Sequence, residues 1–483
     1  MDYRKYSKKV FIVGVANVFT YARNILILPI LARALGVGLY GLWSQIYALV
    51  ELFIPIFSLR LSAALTRYIA AENDPKIIRR GFWTTLISGI ISSCVLSMIF
   101  LYFVPMSTKY FGAELRDLTK FSYHIAIMLI LGSISNSCLM FFKTFERSFV
   151  FSFISIVESL GFVILTFFLL NLGFKVLSPV YGIILTKITV ILFSLPIIIK
   201  EIGISFIDRK LLSEYLSYSI PMIPMALLYW TIQMSDRYMI DLFLNKEEVG
   251  RYSAAYSVGG LVGFIFSPIF TFLLPRTAIL WEKENFKELR TFFRMSIKYP
   301  SIVAFPLIIT APEWGVWAIM FFLGDAFTTS STLIICVLLG YFFLMFGTFY
   351  TSILHMEKRT KTLLLVNVIS ALFNVALNLI LIPQLGIEGA AFSTCLTFLL
   401  QTILFYFFSK KSFEFNFGIR DILKVILGSI VYLIILLIFE INHISELTIS
   451  LLVGGIIYLL LLFLLRVLKK EELTFLYSIM KKN

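Results

Sequence analysis

The chain has 483 residues, of which 59% are hydrophobic and only 14% charged, and its mean hydropathy is +0.92. A soluble domain cannot hide that much apolar surface, so the bilayer must act as solvent and water-soluble classes are excluded. The formal net charge of +14 fits lysines and arginines drawn to an anionic leaflet, with no call for a nucleic-acid partner.

The apolar runs reach about 20 residues or more, the length a spanning helix needs, and lack the alternation of an outer-membrane barrel. In chain order, hydropathy and breakers predict spans at 10–33, 39–65, 82–105, 118–142, 148–171, 177–199 and 212–235. Seven more follow at 250–275, 295–321, 329–354, 362–383, 387–408, 421–439 and 446–466. Gly36, Pro75, Pro105, Gly173, Pro383 and Gly386 lie at or between the ends, where such residues punctuate helices. The first run is long, carries Arg23 and lacks a small-x-small cleavage site, so it is expected to stay as a membrane helix. Trp281 to Arg290 mixes charge with apolar residues at helical spacing, which predicts an interfacial helix.

With the N-terminus placed in the cytoplasm, about three quarters of the 42 Lys and Arg fall on segments that should be inside. They include Arg4, Lys5, Lys8 and Lys9, then Arg67, Lys76, Arg79 and Arg80, and finally Arg466, Lys469 and Lys470. The expectation is an all-α polytopic protein of about fourteen spans in the plasma membrane, with both termini cytoplasmic.

Two short signatures recur at an offset of roughly 210 residues, the mark of a duplicated bundle. Gly38-Leu39-Tyr40 returns as Gly250-Arg251-Tyr252, and Leu172-Gly173 returns as Leu385-Gly386. The expected division is an N-terminal lobe over 1–200, a second lobe over 201–411, and an extra helix pair with a cytoplasmic tail over 412–483.

A charge at the bilayer centre costs several kcal/mol, about 2.5–3.5 on insertion scales, so the in-span charges are candidates for a site. Arg23, Arg60 and Lys187 are the expected ligands of a substrate phosphate, the two arginines because a planar guanidinium donates to two oxygens at once. Glu51 and Glu158 are the candidate coupling carboxylates; they leave room for H+ or Na+ coupling, and no other cofactor is expected. Internal salt bridges are the structural alternative for the same five residues. Asn17 and Asn24 lie near Arg23, while Asn367, Asn374 and Asn378 share one face of span eleven, either lining a cavity or joining helices. Asp236 and Arg237 stand at a lobe end, where a gate would sit. The single histidines (His124, His355, His443) and the four cysteines without CxxC spacing suggest no metal site and no catalytic centre.

Three stretches then carry a resemblance. Leu31-Ala32-Arg33-Ala34-Leu35-Gly36-Val37-Gly38-Leu39-Tyr40-Gly41-Leu42-Trp43 resembles the first hairpin of the polysaccharide transporters, the lipid-linked oligosaccharide flippases of O-antigen type. Asp236-Arg237-Tyr238-Met239-Ile240-Asp241, followed by Glu248 to Tyr256, resembles the start of their second lobe. Ile382-Pro383-Gln384-Leu385-Gly386-Ile387-Glu388-Gly389-Ala390-Ala391 resembles their hairpin between spans eleven and twelve. The resemblance implies membership of the multidrug/oligosaccharidyl-lipid/polysaccharide exporter superfamily. It also implies a V-shaped pair of six-helix lobes around a cationic cavity, with two extra spans forming a groove for a lipid tail. The implied substrate is a polyprenyl-diphosphate-linked glycan moved by alternating access, with a glycan polymerase and glycosyltransferases as partners. A multidrug extruder of the same fold, a peptidoglycan-precursor flippase and a membrane glycan polymerase are the alternatives. In-span arginines argue against the first, and short outside links without a DxD motif against the last.

Overall fold

The computed structural model describes residues 3–70, 72, 74–111, 116–439 and 444–468. Every regular element among them is helical. The first is α1 (Tyr3–Phe57), which bends at Gly36 (φ 72°, ψ 170°) and then runs on through the first signature. That backbone is open to glycine and strained for other residues, so the kink is written in the sequence. α2 (Leu61–Ile69), α3 (Pro75–Phe111), a single turn α4 (Arg116–Thr119), α5 (Ser122–Thr144), α6 (Ser148–Asn171) and α7 (Leu177–Ile202) follow. Next come α8 (Arg209–Ser219), α9 (Ile223–Met234), α10 (Asp236–Phe243) and α11 (Lys246–Glu282). The remainder are α12 (Phe286–Ile309), α13 (Ala311–Leu323), α14 (Ser331–Met356), α15 (Thr360–Leu385), α16 (Ile387–Lys410), α17 (Ile419–Ile438) and α18 (Ile444–Leu464).

Twelve helical stretches are long and apolar enough to cross a membrane, and two shorter apolar helices, Ala311–Leu323 and Thr448–Leu464, accompany them. All fourteen expected spans fall on helices. Four read differently from expectation: 118–142 opens on the single turn α4 before α5, and 212–235 is α8 and α9 joined by a tighter turn at Ile220–Met222. The span at 39–65 breaks after Phe57, and the span at 295–321 is α12 and α13 meeting at Thr310. The interfacial helix expected over 281–290 is absent. Glu284 turns left-handed (φ 53°) and Asn285 caps α12 by accepting from the Glu288 amide (3.2 Å), so the charged residues there end one span and start the next.

Contacts divide the chain into a unit over Phe11–Ser253 and a unit that joins the stretch before Phe11 to the chain from Ala254 onward. In the first, α2 is sealed into a core. Its Leu61, Leu65 and Ile69 are buried with Phe82 and Leu86 of α3, Phe141 and Phe142 of α5, and Tyr215 of α8. In lipid such packing acts through dispersion and fit, because the tails are as apolar as the side chains. In the second unit, α17 and α18 pack against α12 through Ile302, Val425, Tyr458 and Leu462, and the Tyr458 hydroxyl donates to the Ile302 carbonyl (2.7 Å). Lys298, only 1% exposed, and Arg294 both reach Asp421 on α17 (3.4 and 2.9 Å), an ion pair that ties the same helices.

Both copies of the second signature turn one helix into the next. Gly173 (φ 86°) turns the chain from α6 to α7, and Gly386 (φ 64°) turns it from α15 to α16. Each lies directly after a leucine that ends or follows a helix, in the left-handed position where glycine costs least.

Candidate functional site

The first signature has an unexpected geometry. Its two copies touch. A methyl group on Gly41 would lie 2.1 Å from the Lys246 carbonyl oxygen and 2.9 Å from the Gly250 amide nitrogen. One on Gly250 would lie 2.1 Å from the Val37 carbonyl oxygen. The stretch of α1 after Gly36 and the start of α11 therefore cross backbone to backbone, which only small residues permit.

A polar network surrounds this crossing. Ser44 and Ser253 share a hydrogen bond across it (2.7 Å), and Arg237 Nε donates to Ser44 Oγ (3.1 Å). Arg237 also donates through Nη1 to the Gln233 carbonyl (3.0 Å) and to Asp236 Oδ1 (3.1 Å). The Tyr252 hydroxyl donates to Asp236 Oδ2, and the Arg237 guanidinium lies 6.0 Å from the Tyr252 ring centre. A second arm joins Gln45 Nε2 to Asp241 Oδ2 (2.9 Å), with Lys246 Nζ at 3.7 Å from the same oxygen. Tyr238 and Trp230 donate to the Gln45 and Ala48 carbonyls of α1, each at 2.7 Å. Asp236 is 1% exposed and Gln45 fully buried. Buried groups of this kind are held in place because each would be costly unpaired. Burial pushes the Asp236 carboxyl above its ordinary value, against the pull of Arg237 and the Tyr252 hydroxyl.

Asp236 and Arg237 are expected site residues, whereas their partners Ser44, Gln45 and Tyr252 carry no such mark in the sequence. Gln45, a lone amide inside an apolar run, was the one local signal available.

The in-span charges of the same unit are distributed as follows. Lys187 on α7 donates to Glu158 on α6 (2.5 Å), with 24% and 13% of the side chains exposed. One turn beyond Glu158, Phe162 has the Arg23 guanidinium 5.5 Å from its ring centre. Tyr47 on α1 hydrogen-bonds Glu51 and lies within electrostatic reach of Arg23 and Arg237. The structure thus gathers Arg23, Glu158 and Lys187 around α6, and places Glu51 beside Tyr47. Arg60 stands apart. It occupies the break between α1 and α2 in left-handed backbone (φ 48°, ψ 26°), half-buried and without a partner among the described residues. The side chains of Asn17 and Asn24 lie outside the described residues.

In the second unit, the asparagine stripe is buried and internally paired. Asn367 Oδ1 accepts from Gln401 (3.1 Å), Asn374 donates to Thr397 Oγ1 (3.3 Å) and Asn378 donates to Asn374 (3.1 Å). Two of these bonds join α15 to α16.

The family model described as polysaccharide biosynthesis protein matches residues 6–281, more than half the chain. The chain belongs to that family. A second model, MatE, matches residues 221–380. The chain is 23% identical over 430 residues to a probable low-salt glycan biosynthesis flippase of Haloferax volcanii, covering 86% of each. It is 24% identical over 409 residues to a protein of Shigella flexneri provisionally named an O-antigen transporter, covering 81% of this chain and 95% of that one. Among solved structures, the lipid II flippase MurJ in an inward closed conformation superposes with a TM-score of 0.75 at 20% identity, over 93% of this chain and 98% of its own. An inward-facing multidrug MATE transporter gives 0.57 at 14% identity, over 84% and 97%. The chain therefore has the helical fold of these transporters, and it is a multi-pass membrane protein.

Proposed function

We propose that this protein is a flippase that carries polyprenyl-(di)phosphate-linked oligosaccharide units across the plasma membrane by alternating access, for surface polysaccharide assembly. It breaks no covalent bond, and it receives its substrate from glycosyltransferases and delivers it toward a glycan polymerase. The observation that carries this reading is Arg60. A half-buried guanidinium without a partner among the described residues, in an apolar chain of this family, is costly unless an anion visits it. A diphosphate head group is such an anion, and the guanidinium fork suits it. Arg23 supplies a second cation on the same unit, and the Lys187–Glu158 pair supplies a carboxylate poised to trade its lysine partner during the cycle.

Asp236 and Arg237 act in this proposal as a gate clasp. They hold the crossing of the two hairpin copies, which must part and re-form as access alternates between cytoplasmic and external sides. The six-span lobes over 1–200 and 201–411, with both termini cytoplasmic, are the frame in which that movement takes place.

The experiment is glycan export in a strain that depends on this protein. Arg60→Ala abolishes surface glycan while the protein still inserts at wild-type level, and Arg60→Lys restores part of it. Normal export by Arg60→Ala would sink the phosphate reading.

A further inference from the structure

Seven non-glycine residues among those described have left-handed backbone. Glu146, Lys175, Glu284, Lys358 and Arg466 fall just past helix ends, where the chain must turn. Leu59 and Arg60 differ. They are consecutive, both at φ 48°, and they interrupt an apolar span. Such backbone persists only where the surroundings over-determine it.

The hydrogen bonds show what does so here. A continuing helix would pair the Phe57 carbonyl with the Leu61 amide. That amide instead donates to the Ser58 carbonyl (3.1 Å), and the Leu59 amide to the Ile56 carbonyl (3.1 Å). The Phe57 carbonyl is left without its helical partner inside an apolar environment. Two hydroxyls from α3 take its place: Ser92 Oγ at 2.7 Å and Ser93 Oγ at 3.0 Å, the latter side chain fully buried. On the far side of the break, α2 is locked into the core through Leu61, Leu65 and Ile69. The break is thus clamped at both ends, and Arg60 is the residue it presents.

We infer that Ser92 and Ser93 are positioning residues for Arg60: by clamping the orphaned Phe57 carbonyl they hold the left-handed turn that presents its guanidinium. This rests on the reading of Arg60 as an anion ligand. The serines touch no substrate. They act through backbone conformation, so losing them should blur the position of Arg60 without removing its charge. Alanine is a good helix former, so replacing both serines leaves α3 itself intact.

The test uses the purified full-length chain in detergent, with farnesyl diphosphate as probe and hydrogen exchange read at the amides of residues 58–63. In Ser92→Ala/Ser93→Ala, exchange there rises about tenfold and farnesyl diphosphate binding weakens about tenfold, as expected for two lost hydrogen bonds. Ser92→Thr/Ser93→Thr keeps both hydroxyls and stays near wild type in both readouts. Arg60→Ala loses binding while exchange stays at the wild-type rate. If the double alanine variant exchanges and binds as wild type does, or exchanges faster with binding unchanged, the positioning role is overturned. If Arg60→Ala binds as tightly as wild type, the anion reading itself falls, and the exchange data still report separately whether the serines clamp the break.

Discussion

Gly250→Ala is the sharpest probe of the helix crossing. The added methyl would stand 2.1 Å from the Val37 carbonyl oxygen and 3.0 Å from both Val37 C and Cγ2. The first two are backbone atoms that cannot rotate away, so the helices must separate. Overpacking of this kind costs about 1–3 kcal/mol. Separation also stretches the Ser44–Ser253 and Arg237–Ser44 hydrogen bonds, now 2.7 and 3.1 Å, each contributing about 0.5–1.5 kcal/mol. Against this, alanine gains about 1 kcal/mol of helix propensity over glycine. The balance is about 1–5 kcal/mol against the crossed arrangement, a shift of roughly five- to several-thousand-fold in its population. The assay is disulfide formation between Ser44→Cys and Ser253→Cys in a background lacking the four native cysteines. The pair should cross-link readily, block export and release it on reduction; both serine bonds are absent in this background, so the methyl contact alone acts, and adding Gly250→Ala should cut the cross-linking yield severalfold. Equal yields with and without the alanine would refute the reasoning, because the close approach would then carry no energetic weight.

Other outcomes follow from the same contacts. Glu158→Gln leaves the Lys187 ammonium without its carboxylate and should cost about 1–2 kcal/mol, less than a fully buried pair because both groups keep some solvent contact. Glu158→Gln/Lys187→Met should recover thermal stability without recovering export, and recovery of both would make the pair purely structural. The Asp236 carboxyl is raised by burial, so its stabilising contribution is complete below the ordinary carboxylate range and is lost as pH rises through its folded value. Melting curves of the wild type should therefore decline relative to Asp236→Asn over that climb, and parallel curves would contradict the assignment. Asn374→Ala removes bonds to Thr397 and Asn378 and should lower stability by about 1–2 kcal/mol. Its substrate KM should stay unchanged, and a raised KM with full stability would return the asparagine stripe to a cavity wall.

The spans were legible because a run of about 20 apolar residues has few alternatives to a spanning helix. Gly36, Gly173 and Gly386 were legible as turns, and all three have the left-handed backbone that glycine accepts. The break at Leu59–Arg60 was not. Neither residue signals a turn, and the conformation depends on Ser92 and Ser93, more than thirty positions away. The clasp was half legible for the same reason. Asp236 and Arg237 stand out as charges near a span end, but Ser44 and Gln45 meet Arg237 across about 190 residues, with no local pattern to announce the pairing.

The two copies of the first signature supply the two faces of the crossing, yet the contact is not symmetric. Were it so, the Val249 carbonyl would approach Gly38 as the Val37 carbonyl approaches Gly250. Instead a methyl on Gly38 would meet only the Glu247 side chain, at 3.8 Å. The position of Gly41 is taken in the second copy by Ser253, whose hydroxyl reaches back to Ser44 (2.7 Å) and through it to Arg237. One copy therefore keeps the glycine that lets the backbones meet, and the other gives up that glycine for a hydrogen bond that holds them. A contact of bare glycines would be close but slippery, because dispersion alone does not fix register along a helix. With the serine and its buried Arg237–Asp236 support, the crossing has one register. Arg237 thereby keeps three acceptors at once, Ser44, Gln233 and Asp236.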